Sequence, residues 1–141
     1  MAEQRITLAG DLAQLERLCR FVESFGHEHG LSAPLVFELN LALDELFTNI
    51  IIHGGTAGSV SGISVSLRRE GDELVAVVED DGPAFDPCEA KPPDVACSLE
   101  DRCIGGLGIH LVRNVTDVMC YERREGRNRI TLLKKIASKG D

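Results

Sequence analysis

The stretch ISVSLRREGDELVAVVEDDG, residues 63–82, decides the fold class. ISVSLRR alternates apolar and polar residues, Glu70-Gly71-Asp72 supplies a turn, and ELVAVVED resumes as a more continuously apolar strand, so the whole reads as a β-hairpin. Upstream the period changes. ITLAG, from Ile6, reads as a short strand running into Asp11, which can cap a helix carrying Leu12, Leu15, Leu18, Cys19, Val22 and Phe25 on one stripe and ending near Gly30. Ser32 then serves as an N-cap with Pro34 in the first turn, and a second, longer helix runs to His53 before Gly54-Gly55 stops it. Downstream, residues 86–104, DPCEAKPPDVACSLEDRCI, hold prolines and no sustained period, which predicts a long loop of the kind that forms functional lids. GGLGIHLVRNV reads as a glycine-rich turn into a helix, and TDVMCYERR with NRITLLKKI as a second hairpin around Glu125-Gly126-Arg127.

This order separates paired strands from helices and implies an α+β two-layer sandwich with the helices on one face of the sheet. The alternating βα units of a doubly wound parallel fold are missing from the pattern. A chain of 141 residues fits one domain, residues 1–141, able to bury roughly two thirds of its unfolded surface. The net charge of −8 and the scattered Lys and Arg give no basic stripe for nucleic acid. No run approaches the roughly 18 apolar residues of a membrane helix, and the N-terminus lacks a signal pattern, so a soluble cytoplasmic protein is expected. The five cysteines contain no CxxC pair and fit reduced thiols. Cys88, Cys97 and Cys103 share the long loop, where the competing reading is metal binding or redox sensing.

Three places carry candidate chemistry. In ALDELFTNIIIHG, residues 42–54, Glu45, Asn49 and His53 lie at i, i+4 and i+8 and line one face of a helix. A solvated face is the ordinary reading, but Glu45 and Asn49 sit deep in apolar sequence, where an unpaired polar group is costly. A Mg²⁺ ion completed by phosphate and water would satisfy Asn49, and Glu45 could take a proton from an attacking hydroxyl. His53 reads as a helix-end residue. In VAVVEDDGPAFDP a strand ends in Glu79-Asp80-Asp81-Gly82; such residues make good turns, and one carboxylate there can also accept a hydrogen bond from a ligand NH2 group, with Gly82 leaving room for a base. In GGLGIHLV, residues 105–112, glycines meet a helix start, a natural phosphate site. It is neither the dinucleotide fingerprint nor a P-loop, and the eukaryotic-type kinase motifs are absent.

Taken in order, ELFTN, DDGPAFDP and GGLGIHLVRNVTDVMCYERREGRNRITLLKK resemble the N box, first glycine box and second glycine box of the GHKL or Bergerat ATP-binding fold, whose sheet is mixed but mostly antiparallel. More closely the chain is similar to bacterial anti-sigma factors that are also serine protein kinases in partner-switching systems. The resemblance implies Glu45 as general base, Asn49 as Mg²⁺ ligand and Asp80 as the reader of the adenine amino group of ATP, with Gly82 beside it. It implies Gly105, Gly106, Leu107 and Gly108 on the phosphate side, residues 86–104 as the ATP lid, Phe85 as an aromatic nucleotide-site residue whose ordinary role would be to anchor the lid against the core, and Thr131 as a hydroxyl near the adenine. It further implies a STAS-type anti-anti-sigma partner, a sigma factor held until the antagonist displaces it, and a homodimer. One departure stands out: some relatives carry an arginine just before the second-box glycines, where this chain has Ile104 or Gly105, the nearest cation being Arg102. Two alternatives remain, a non-catalytic nucleotide-dependent binding module and a detached histidine-kinase catalytic domain; against the latter, no histidine sits on an additional dimerisation helix.

Overall fold

A computed structural model describes residues 3–54, 62–84, 112 and 114–136. Five strands form one sheet: β1 (Gln4–Leu8), β2 (Ile63–Glu70), β3 (Glu73–Asp80), β4 (Val118–Arg124) and β5 (Arg127–Lys135), in the order β1-β2-β3-β5-β4. All four neighbouring pairs are antiparallel. Two helices, α1 (Leu15–Glu28) and α2 (Ala33–Gly54), precede β2. Residues 112, 114 and 115 are helical.

The local chemistry accounts for the element ends. The Asp11 carboxylate accepts from the Ala13 N–H at 2.9 Å, but the turn it caps is a 3-10 turn, Leu12–Gln14, that leads into α1. Ser32 Oγ accepts from the Leu35 N–H at 3.3 Å and starts α2. Strand β1 begins at Gln4, earlier than the apolar pattern announces, because Gln4 and Arg5 pair with Leu67 and Ser66 of β2. The β2–β3 turn places Gly71 at φ 61°, and the β4–β5 turn places Glu125 at 51° and Gly126 at 77°. Two successive residues at positive φ match the right-handed twist of the strands they join.

The register sorts the sheet into two faces. Ile6, Val65, Val78, Ile130 and Tyr121 stand in one row across the five strands, and Leu8, Ile63, Asp80, Asn128 and Arg123 in the next row on the same face. The apolar members of this face pack with Leu18, Val22 and Phe25 of α1 and with Leu39, Leu43, Leu46, Phe47 and Ile50 of α2 in one core. The second of these rows is apolar at β1 and β2 and turns polar at β3, so the core ends there in buried Asp80 and Asn128. The opposite face carries Arg5, Glu79, Arg129 and Glu122, joined by exposed ion pairs of 3.3–4.0 Å.

α2 is apolar around most of its circumference, and its first turns sit at the far end of the sheet. Glu38 pairs with Lys134 at 3.5 Å, and Leu39 lines a depression with Leu74, Ala76 and Leu132. From Leu39 to Asn49 the helix rises about 15 Å. From Ala76 to Asp80 β3 advances about 13 Å. The helix and the strand thus each extend by a similar length from that shared anchor.

Candidate functional site

Asn49 is 3% exposed, and its amide is used on one side only. Nδ2 donates to the Glu45 carbonyl one turn earlier at 2.9 Å, while Oδ1 is buried with no hydrogen-bond partner among the described residues. A buried carbonyl oxygen left in this way costs about 1–3 kcal/mol, a cost that a water, an ion or a ligand at Oδ1 would offset. Glu45 is half-buried on the same helix. Two further oxygens of α2, Asn40 Oδ1 and Asp44 Oδ1, are also buried without partners. Burial first, and the neighbouring Glu45 charge second, push the Asp44 carboxyl up from 3.8 to about 6.

Asp80 closes β3, 3% exposed, with its carboxylate turned back on the chain that follows. Oδ1 accepts from the Gly82 N–H at 2.8 Å, an Asx turn that fixes the first glycine-box segment. It also accepts from Asn128 Nδ2 at 3.1 Å. Asn128 Nδ2 reaches the Pro83 carbonyl at 2.8 Å, and Asn128 Oδ1 accepts from Tyr121 Oη at 2.6 Å and from Arg123 Nη1 at 3.2 Å. Arg123 Nη1 also donates to the Gly82 carbonyl at 2.7 Å. The carboxylate expected to read a ligand amine is therefore held by Asn128 of β5, whose amide is held in turn by Tyr121 and Arg123 of β4.

Asn128, Tyr121 and Arg123 lie within the second-box stretch but are not among its expected site residues, yet a signal for the first of them existed. In NRITLL, Asn128 shares its alternation with Ile130 and Leu132, which puts a polar amide on the core face. The same alternation puts Thr131 on the other face of the sheet. Thr131 pairs with Val77 and Cys120, and it stands three residues from Asn128, an odd step along the strand, so it lies on the face opposite Asp80. The Thr131 hydroxyl expected beside the base thus does not share the face of Asp80.

Phe85, the lid residues 86–104 with their three cysteines, and Gly105, Gly106, Leu107 and Gly108 lie outside the described residues. His53 falls in the last turn of α2, as expected of a helix-end residue. Among the described residues, no three His, Cys, Asp or Glu side chains gather as a metal cluster. No helix among them is long and apolar enough to cross a membrane.

An antiparallel sheet backed by two helices, with an acid at the end of the central strand and a buried asparagine on the long helix, is the α+β frame of the histidine kinase-like ATPase class. Residues 8–134 match the histidine kinase-like ATPase domain, and the chain belongs to that family. Within it the chain is 40% identical over 106 residues to the serine/threonine-protein kinase BtrW of Bordetella bronchiseptica, covering 75% of each chain. It is 32% identical over 92 residues to the serine-protein kinase RsbW of Listeria monocytogenes, covering 62% of this chain and 59% of that relative. The RsbU and RsbW domains of a Mycobacterium tuberculosis protein superpose with a TM-score of 0.69 at 19% identity, covering 96% of this chain and 33% of the other. The resemblance read from the three motifs is thus borne out in both sequence and fold.

Proposed function

We propose that the chain binds MgATP and transfers the γ-phosphoryl group to a serine of a STAS-type anti-anti-sigma protein, and that it sequesters a sigma factor when that antagonist is phosphorylated. The observation that carries this reading is the buried, unpartnered Oδ1 of Asn49, one helical turn from the Glu45 carboxylate. A neutral hard oxygen fits Mg²⁺, whose remaining sites would be filled by phosphate oxygens and water. Bound there, the ion supplies neutralising charge on the transferred group.

Glu45 takes the proton of the attacking serine hydroxyl as its oxygen bonds to the γ-phosphorus; the bond from that phosphorus to the bridging oxygen breaks, and ADP leaves. Asp80 accepts a hydrogen bond from the adenine 6-amino group, with Gly82 giving the base room. Gly105, Gly106, Leu107 and Gly108 provide backbone N–H groups to the phosphates and Phe85 adds an apolar contact to the nucleotide, as the family resemblance implies. A homodimer in the cytoplasm completes this scheme.

Incubation with γ-labelled ATP and the cognate STAS protein tests the reading. The expected result is a labelled serine, with the rate reduced by about 10²-fold or more in Glu45→Ala. No labelled serine from the wild type, or undiminished labelling by the variant, overturns the mechanism. A second reading rests on the absence of an arginine at Ile104-Gly105: nucleotide then only sets the conformation of a non-catalytic binding module. It predicts ATP binding lost in Asp80→Ala with no phosphoserine at any time.

A further inference from the structure

The amide of Asn128 has its full hydrogen-bonding capacity in use. Its oxygen takes two donors, Tyr121 Oη and Arg123 Nη1, and this settles which way the amide points. With the amide reversed, its oxygen would face the Asp80 carboxylate and the Pro83 carbonyl, both acceptors. The NH2 group therefore gives one hydrogen to Asp80 Oδ1 at 3.1 Å and the other to the Pro83 carbonyl at 2.8 Å. Nothing is left over for a ligand. Asp80 Oδ1 in turn holds two donors, Gly82 N–H and Asn128 Nδ2, so among the described residues both contacts to the carboxylate fall on one oxygen.

We propose that Asn128 is the positioning residue for purine recognition: it commits Asp80 Oδ1 to the protein and presents Oδ2 to the 6-amino group, with Tyr121 and Arg123 fixing the amide that does so. This rests on the reading of the site as an ATP site. The physical basis is rotational. A carboxylate held only by the Gly82 N–H can swing about its terminal bond, whereas a second donor from β5 fixes its plane. Both side chains are buried, Asp80 at 3% and Asn128 at 4% exposed, so a mispointed oxygen is not rescued by bulk water. The reach of the network across β3, β5 and β4 makes the edge strand part of base selection, although it need not touch the nucleotide.

The test compares two nucleotides that differ only in the 6-amino group: MgATP and the magnesium complex of purine riboside triphosphate, with affinities measured by titration calorimetry. Wild type is expected to prefer ATP. Asn128→Ala should weaken ATP by about tenfold or more while changing the des-amino analogue by less than about twofold, since only ATP uses the oriented oxygen. A merely structural role for Asn128 would weaken both nucleotides alike. Tyr121→Phe, which keeps the buried ring and removes one donor to the amide oxygen, should cost about threefold for ATP alone, and it decides the matter if Asn128→Ala does not fold. Equal losses on the two nucleotides, or an unchanged ATP affinity, overturn the inference. A wild type that binds no ATP overturns the proposed function as well, whereas loss of ATP in Asp80→Ala with full affinity in Asn128→Ala overturns this inference alone.

Discussion

At the scale of the residue, α2 tolerates groups that a helix chosen for stability alone would lack. Asn40, Asp44 and Asn49 each leave a buried oxygen without a partner among the described residues. Asp44 gives this a measurable consequence, because burial and then Glu45 raise its carboxyl from 3.8 to about 6. The folded chain keeps a proton there that the unfolded chain loses earlier, so stability falls as pH rises from about 4 to about 6 and then levels. Asp44→Asn abolishes that dependence. After allowance for the partial solvent exposure of the group, it should stabilise the fold by about 1–2 kcal/mol above pH 6 and by nothing below pH 4. Urea denaturation at pH 4 and pH 7.5 checks it, and a gain of equal size at both pH values would sink the assignment.

At the scale of the element, the two helices meet at a close approach that fixes which residue can stand at position 26. A Cβ placed on Gly26 would lie 2.4 Å from Val36 Cγ2, inside any real contact. Val36 is β-branched and has little rotamer freedom with which to yield. Gly26→Ala should therefore lower stability by about 1–3 kcal/mol, although alanine is the better helix former by about 1 kcal/mol. A urea midpoint at or above that of the wild type would contradict the packing. Elements with strong local signals were legible in the sequence. Ser32, the period of α2 and both turns around Gly71 and Gly126 lie where the pattern announces them. The extra residues of β1 were not, since Gln4 and Arg5 become strand only by pairing with β2.

At the scale of the whole molecule, nucleotide binding should appear as stability. If the folded chain alone binds MgATP, a ligand concentration of 100 times Kd adds about 2.7 kcal/mol. In a domain of this size that raises Tm by about 5–10 °C. Chelation of the metal by EDTA should remove most of the gain, and a shift unaffected by EDTA would count against Asn49 as a metal-holding residue.

The sequence by itself determined the class of fold, the placing of Glu45 and Asn49 one turn apart on a helix, and the strand end at Asp80. Each of these is written in a local pattern: a helical stripe with polar residues at i and i+4, or a strand that runs into a turn. Only the tertiary structure decided what surrounds Asp80. Asn128 and Arg123, from strands far along the chain, are brought into its row by an antiparallel register, with Tyr121 in the neighbouring row. That register also turned Thr131 away, because a β-strand alternates its faces residue by residue and a family motif read along the chain does not show which face a position takes.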